Sequence, residues 1–324
     1  TDRYLSPLHP IPARRPGERL RWGRLYGSSY GLAIATATRE QDGLLLVVTA
    51  DTGSASRLEY ELRFYLGEDA SLPVLHFPDW ETLPYDAFSP HQDIISERLA
   101  TLYRLPSIRR GVLITPIATL MHRLPPREYL EGHSLELDVG QRMDLDQMRL
   151  RLDASGYRCV SQVMEHGEFA VRGALFDLFS MGSDLPYRIE LFDDEVESIR
   201  TFDPETQRTQ EKVESVRLLP AREFPLGDAA IKQFRSAWRL AIEGDPQRSP
   251  IDRDVSLGLA PPGIEYYLPL FFERTATLFD YLPQQVLVLS TEGIEEAADG
   301  FWGECKARYE QLRHDIERPR LAPE

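Results

Sequence analysis

The chain has 324 residues, 42% of them hydrophobic and 27% charged, which is enough apolar content to bury the cores of two or three domains. Its formal net charge of -15 argues against broad, non-specific binding to nucleic acid or to an anionic membrane, because such binding requires a basic surface. The two cysteines form no CxxC motif and no run of about 18 apolar residues is present, so the sequence predicts a cytoplasmic protein without a disulfide framework or a membrane span.

A glycine turn at Gly27 to Gly31 follows a loose, polar arm of residues 1–24 and opens onto a predicted helix. A turn of this kind is where a phosphate-binding loop would lie, and that loop requires the spacing G-x-x-x-x-G-K-[ST]. Gly27 and Gly31 are one residue too close together, and Leu32 follows where a lysine is required. We therefore interpret the turn as a degenerate nucleotide site and keep nucleotide binding as the alternative.

The next segments alternate between buried strands and helices. Residues 44–49 and 111–115 are continuous apolar runs, typical of strands that are buried on both faces. Between them, residues 55–66 have a helical pattern, and Ser89 and Pro90 provide the cap and the first-turn proline of another helix. This order of elements predicts an α/β domain with a parallel sheet.

Near Gly132 most of the predicted elements become strands. We expect a helix at 145–155 and strands at 134–139, 169–179, 187–192 and 196–202. A helix at 222–240, a polar loop at 243–252 and a buried strand at 286–290 then return to the α/β pattern. The sequence thus predicts an arm, an α/β domain, an inserted small α+β domain and a segment that completes the α/β domain, at residues 1–24, 25–131, 132–219 and 220–324.

Two strand-like runs, 169–179 and 187–192, flank a turn-rich stretch and predict a β-hairpin with a long loop. Because side chains alternate along a strand, the second run places Arg188, Glu190 and Phe192 on one face. Such a trio is typical of a protein-binding surface, since arginine and aromatic residues most often anchor interfaces. Spacing alone leaves a second interpretation open, in which Arg188 and Glu190 form a solvated strand face and Phe192 belongs to the core.

The first run, 169–179, is interpreted as one continuous strand. Alternation along it places Arg172 and Ala170 on one face and Asp177 and Val171 on the other. Arg172 and Asp177 are therefore expected on opposite sides of the sheet.

No cluster of residues in the sequence indicates a metal or catalytic centre. The seven histidines lack metal-ligand spacing, so we expect no metal and no cofactor. The strand at 286–290 is followed by Thr291 and Glu292, where an NTPase presents an Asp-Glu pair to magnesium, and Thr291 stands at the aspartate position. Because both halves of a nucleotide site are degenerate, the sequence predicts an NTPase-type scaffold without hydrolytic activity, so this chain is not expected to be an enzyme.

Several long runs resemble proteins of nucleotide-excision repair. VRGALFDLF followed by YRIELFDDEVESIRTFDP resembles domain 2 of UvrB, the module that docks on UvrA. Other runs resemble the UvrB-like N-terminal region of the bacterial transcription-repair coupling factors, namely DWETLPYD, FSPHQDIIS, RLATLY, VMEHGE and RGALFDLFSMGSDLPYR. The resemblance covers the chain from about Leu25 onward.

The resemblance implies a UvrB-like α/β fold, in which a degenerate P-loop NTPase-type domain, made of parts called 1a and 1b, is interrupted by domain 2. The residues that match the UvrA contacts are Arg172, Arg188, Glu190 and Phe192. Ala170 stands where UvrB has a further arginine, and the segment between Trp80 and Arg98 lacks the Tyr-rich hairpin with which UvrB grips damaged DNA.

As a function, the resemblance implies an adaptor that mimics UvrB and recruits UvrA to lesions marked by stalled RNA polymerase. It also implies that the rest of a full-length protein translocates on double-stranded DNA, contacts RNA polymerase and masks the UvrA-binding face with its C-terminal domain. Two alternatives stay open: a divergent ATPase or helicase fragment, and a DNA-binding module. The second would use the basic arm, with Arg14, Arg15, Arg19, Arg21 and Arg24.

Overall fold

A computed structural model describes residues 10–13, 15–23, 25–67, 69–242, 248–315 and 317–323. The strands in chain order are β1 Leu44–Thr49, β2 Val74–His76, β3 Gly111–Pro116, β4 Leu135–Asp138, β5 Arg158–Cys159, β6 Glu168–Arg172, β7 Leu175–Leu178, β8 Tyr187–Phe192, β9 Glu195–Phe202, β10 Thr209–Val213, β11 Ser215–Leu218 and β12 Val286–Ser290. The α-helices are α1 Ser29–Glu40, α2 Thr52–Leu66, α3 Gln92–Arg104, α4 Ile117–Leu120, α5 Arg127–His133, α6 Leu145–Ala154, α7 Asp228–Ala241, α8 Pro250–Ser256, α9 Leu278–Tyr281 and α10 Ile294–Leu312. Short 3-10 helices lie at Leu105–Ser107 and Ile264–Phe271.

The chain divides into two compact units, each built from three stretches of sequence. The first unit contains the residues up to Asp79, then Arg104–His122 and Thr277–Trp302. The second contains Trp80–Tyr103, Arg123–Ala276 and the residues from Gly303 onward.

The first unit is an α/β structure with a four-stranded parallel sheet in the order β12-β1-β3-β2. Every residue of β1 and β3 is buried, which explains why these strands are continuous apolar runs. On one face, α1 and α2 pack Ile34, Ala37, Leu58 and Leu62 into the core. The prediction of a mixed α/β fold with a parallel sheet is confirmed, as is the return of the chain to this sheet at β12. The expectation that this strand is buried is wrong, because β12 lies at the edge of the sheet and Val288 is 51% exposed.

The second unit contains a six-stranded sheet in the order β10-β9-β8-β7-β6-β5 and a two-stranded sheet of β11 and β4. All neighbours in the larger sheet are antiparallel except β5 and β6. A separate hydrophobic cluster forms around α7, where Phe234 and Trp238 are one helical turn apart and pack with Tyr267 and Phe271 of the 3-10 helix.

One prediction about the larger sheet is wrong. The run 169–179 is not one strand but the antiparallel pair β6 and β7, in which Arg172 faces Leu175 across a two-residue turn. Gly173 opens this turn with φ +62°, a left-handed value that is easily reached only without a side chain. The wider prediction, that this run pairs with residues 187–192 across a long loop, is confirmed by the pairing of β7 with β8.

Two boundaries further along the chain also differ from the predictions. The helix expected at 222–240 begins only at Asp228. Pro225 disfavours helical backbone at Phe224, the residue that precedes it, so a helix cannot easily run through this segment. The polar loop expected at 243–252 overlaps α8, whose cap Ser249 and first-turn Pro250 are an ordinary helix start; residues 243–247 lie outside the described part. Among the described helices, none combines the length and apolar character that a bilayer crossing requires.

Candidate protein-binding face

The register of the larger sheet gathers the residues singled out from the sequence. Asp177 of β7 lies opposite Arg188 of β8, and the next same-face row places Arg172, Leu175, Glu190 and Ser198 side by side. Phe192 continues the same face by alternation along β8. We call Arg172, Asp177, Arg188, Glu190 and Phe192 the polar face.

A buried carboxylate lies at the centre of the polar face. Asp177 has no exposed surface and accepts two hydrogen bonds from Arg188, Nε to Oδ1 at 2.7 Å and Nη2 to Oδ2 at 2.9 Å. Nη2 of Arg172 also donates to Oδ2 of Asp177. One carboxylate therefore orients two guanidinium groups, in the bidentate geometry that gives arginine–carboxylate pairs their strength and direction.

Arg188 is fixed by more than its ion pair. Its Nη1 donates to the carbonyl of Gln207 at 3.1 Å, and its guanidinium lies 4.7 Å from the centroid of the Phe202 ring. The hydrogen bond to Asp177 raises the pKa of Arg188 further above its usual range, against the opposing effect of partial burial. Arg188 is thus a permanent cation, with a side chain that is only 14% exposed. Arg172 is 46% exposed and more accessible to a partner.

Glu190 and Phe192 complete the accessible part of the polar face. The hydroxyl of Ser198 on β9 donates to Oε2 of Glu190 at 2.8 Å, which holds the carboxylate against the sheet. Phe192 lies at the end of β8 beside the turn at Asp193 and is 70% exposed. The interpretation that placed Phe192 in the core is therefore wrong, and this ring is an apolar surface group on the same face of β8 as Arg188 and Glu190.

The opposite side of the sheet supports this face rigidly. Phe169, Phe176, Ile189, Leu191 and Ile199 all point to that side and are buried. Well-packed strands hold side chains with more precision than loops do. The polar face is therefore a preformed surface.

Sequence reasoning did not assign Asp177 to the site. A continuous strand puts Asp177 and Arg172 on opposite sides, whereas the turn at Gly173 reverses the chain and brings both to one face. A signal was present, since Asp177 is the only charged residue in the run Ala174–Ser180 of apolar and small residues. A carboxylate in a buried strand requires a partner, because burial of an unpaired charge is very unfavourable.

Comparisons with known proteins agree on one family. A protein-family model described as UvrB interaction domain matches residues 135–224, which contain the whole polar face. The transcription-repair-coupling factors of Haemophilus influenzae and Escherichia coli are each 47% identical to the chain, over 98% and 99% of its length. Almost the whole chain is therefore similar to one part of the transcription-repair-coupling factors. It spans about a quarter of the length of these relatives, 27% of each. The factor of Myxococcus xanthus is 35% identical over 90% of the chain and is matched over 26% of its own length.

The residues discussed as a degenerate nucleotide site lie in the first unit. Gly27 and Gly31 are at the start of α1, and no strand precedes them in the part of the chain that the structure describes. The carboxylate of Glu61 occupies the space beside Gly31, 2.5 Å from where a Cβ would be. Thr291 donates its backbone N–H to the carbonyl of Val48 at 3.0 Å, directly after β12.

The strand–loop–helix unit that a phosphate site requires is a different one in this chain. It runs from β1 through Asp51 into α2. Asp51 caps α2, because its Oδ1 accepts from the backbone N–H of Ser54 at 2.7 Å and its Oδ2 accepts from the Ser54 hydroxyl at 3.1 Å. A carboxylate of the protein thus occupies the helix end at which a phosphate would bind.

Among the described residues, the remaining candidates are not brought together into a site. Arg15, Arg19 and Arg21 of the basic arm are exposed, and Arg14 and Arg24 lie outside the described residues. Within the described ranges, His, Cys, Asp and Glu side chains form no group of three or more that could hold a metal ion.

Proposed function

We propose that this chain is the UvrA-binding adaptor of a transcription-repair coupling factor and that it docks UvrA through the polar face in the manner of UvrB. The observation that carries the proposal is the pair of arginines held by Asp177 on the same face of the sheet as the exposed ring of Phe192. The match of residues 135–224 to a UvrB interaction domain and the 47% identity to coupling factors support it.

The chemistry of the polar face suits an acidic partner surface. Arg172 and Arg188 would donate charge-assisted hydrogen bonds to carboxylates of UvrA, while Phe192 would enter an apolar pocket. Because Asp177 already orients both guanidinium groups, little conformational freedom is lost on binding. Glu190, held by Ser198, would receive a donor from the partner and fix the register of the complex.

The domain layout follows from the same proposal. Residues 132–219 would be domain 2, and residues 25–131 and 220–324 would be parts 1a and 1b of a UvrB-like NTPase-type domain. We propose that this domain neither binds nor hydrolyses ATP. Asp51 at the start of α2, Leu32 in place of a phosphate-loop lysine and Thr291 after β12 all support that proposal.

In the whole protein, the adaptor would bring UvrA to a lesion at which RNA polymerase has stalled. The translocation on double-stranded DNA, the contact with RNA polymerase and the masking of the polar face by a C-terminal domain would belong to the remaining three quarters of such a protein.

Calorimetric titration of this chain with purified UvrA tests the proposal. An Arg188→Glu variant is unsuitable, because it would place two carboxylates together at the fully buried Asp177. Phe192→Asp is the better variant, since the ring is 70% exposed and its replacement leaves the fold intact. Leu150→Asp is the matched control, because Leu150 is a 71% exposed apolar residue on α6 of the same unit.

We expect the parent and Leu150→Asp to bind UvrA alike and Phe192→Asp to bind at least about thirtyfold more weakly, as for a central aromatic anchor. Absence of binding by the parent would refute the adaptor function. Equal binding by all three chains would show that UvrA uses a different surface.

A further inference from the structure

The polar face continues into a row of cations that the resemblance to UvrB does not include. Across three adjacent strands, Arg188 of β8 lies opposite Arg200 of β9, and Arg200 lies opposite Lys212 of β10. Side chains in register on one face of a sheet are close neighbours. Arg188, Arg200 and Lys212 therefore form a line of three positive charges, which we call the cation row.

Only one member of the cation row is neutralised within the protein. Asp177 pairs with Arg188, whereas among the described residues Arg200 and Lys212 have no salt bridge and no side-chain hydrogen bond. Glu190, the other carboxylate of this face, is engaged with Ser198. Lys212 is exposed and Arg200 is partly exposed, so both are accessible from solvent.

The stability of the sheet does not explain the cation row. Like charges directly opposite each other on neighbouring strands destabilise a sheet. The chain as a whole is strongly acidic, with a net charge of -15, so a local row of cations stands out against it. Such a row attracts a surface of opposite charge and raises the rate of encounter.

We propose that the docking surface for UvrA extends from the polar face across β9 and β10, and that Arg200 and Lys212 bind an acidic segment of UvrA adjacent to the part that contacts Arg188 and Phe192. This inference rests on the proposed function and adds to it a second area of contact with a defined chemistry. The occupant is a protein surface rich in carboxylates.

The role of Arg200 and Lys212 is mainly to steer association. Both lie at the side of the polar face, where charges remain partly hydrated, and charges at the rim of an interface act chiefly on the association rate. Their effect decreases as salt shortens the screening length from about 10 Å at 0.1 M to about 3 Å at 1 M.

The test measures association rates of the full chain with purified UvrA by stopped flow at low and high salt. The decisive variant is the double substitution Arg200→Gln and Lys212→Gln, because a glutamate in place of Arg200 would itself pair with Arg188 across the strands. Its matched control is Arg149→Gln with Lys232→Gln, which removes the same charge from exposed positions on α6 and α7.

We expect the decisive variant to associate about three- to tenfold more slowly than the parent at low salt, with the difference nearly lost at about 1 M salt, and the control to match the parent. If the decisive variant associates as fast as the parent while Phe192→Asp fails to bind, the extension is wrong and the adaptor function stands. If the parent does not bind UvrA, the adaptor function and the extension are both wrong.

A duplex DNA probe in the same buffers covers the other class of anionic partner. Salt-sensitive binding of the parent to the duplex that is lost in the decisive variant, with unchanged binding to UvrA, would assign the cation row to phosphates and overturn the proposal.

Discussion

Asp177 and Arg188 face each other on adjacent strands and are joined by two hydrogen bonds of 2.7 and 2.9 Å, with the carboxylate fully buried. Since Arg172 binds the same carboxylate, one side chain determines the placement of both arginines of the polar face. Its replacement should affect binding and stability together.

We predict that Asp177→Asn keeps the shape of the site but releases both guanidinium groups. Loss of the buried anion should lower the free energy of unfolding by about 2–4 kcal/mol, because Arg188 is left largely buried without its counter-charge. The affinity for UvrA should fall at least about tenfold. Urea unfolding and calorimetry on the same sample measure the two effects. Unchanged stability and affinity would show that Asp177 does not organise the face.

Gly173 determines whether β6 and β7 form a hairpin. Its φ of +62° is unfavourable for a β-branched residue and tolerated by asparagine. We predict that Gly173→Val lowers the free energy of unfolding by about 1–2 kcal/mol, whereas Gly173→Asn changes it by less than about 0.5 kcal/mol. No atom lies within 4 Å of a Cβ at this position, so the difference would report backbone strain and not a steric clash. Equal stabilities of the two variants would argue against this turn.

Glu265 makes the stability of the second unit depend on pH. This residue of the 3-10 helix is 9% exposed, and burial raises its pKa from 4.5 to about 7, although Ser89 donates a hydrogen bond of 2.8 Å to it. The neighbouring Glu223 raises the pKa further and Arg222 lowers it. Because the folded chain holds the proton more tightly than the unfolded chain, this group favours folding at low pH and opposes it as pH rises from about 4.5 to 7.

We therefore predict that Glu265→Gln gains stability relative to the parent as pH increases. The gain should accumulate between about pH 4.5 and 7, reach about 3 kcal/mol and stay constant above that range. Urea unfolding of both chains from pH 4.5 to 8 measures it, and the other titrating groups cancel in the difference. If the difference in stability does not change with pH, the pKa of Glu265 is not raised in the folded chain.

We expect Asp51 to stabilise the start of α2 and to take no part in nucleotide binding. We predict that Asp51→Ala lowers the free energy of unfolding by about 1 kcal/mol, because the N–H of Ser54 loses its acceptor. Millimolar ATP with magnesium should leave the melting temperature of both the parent and the variant unchanged. A rise in melting temperature with ATP in the parent would support the alternative of a divergent ATPase.

The sequence was informative where a single local rule determined the structure. The run 44–49 is almost entirely apolar because β1 is buried along its whole length, and the sequence predicted this strand correctly. The similar run 286–290 was correctly predicted as a strand, but its apolar pattern did not show that β12 lies at the edge of the sheet beside β1 and is partly exposed. The alternation of Arg188, Glu190 and Phe192 along β8 was likewise correct, because β8 is continuous and the extra residue at its register shift lies in β9. The residue contacts to UvrA and the domain boundaries stay predictions.

The rest depended on one turn and on partners that are distant in sequence. Gly173 and Ala174 reverse the chain inside a run whose apolar residues continue on both sides, so the pattern alone did not show the break. That reversal changes the face of every later residue in the run, which hid the contact between Arg172 and Asp177. The contacts of Arg188 with the Phe202 ring and with the carbonyl of Gln207 form only when the whole sheet is assembled, and no local sequence pattern predicts them.

The contacts of Arg188 with Asp177, Gln207 and Phe202 also restrict the direction from which a ligand can approach this guanidinium group. Of the five N–H groups of a guanidinium, three point to Asp177 and Gln207, so one is left on each terminal nitrogen. The ring of Phe202 closes one side of the guanidinium plane. An incoming carboxylate would thus be admitted along a narrow range of angles. In a complex formed through the polar face, Arg188 would discriminate between partners by geometry as well as by charge, which an ammonium group on a flexible stem could not do.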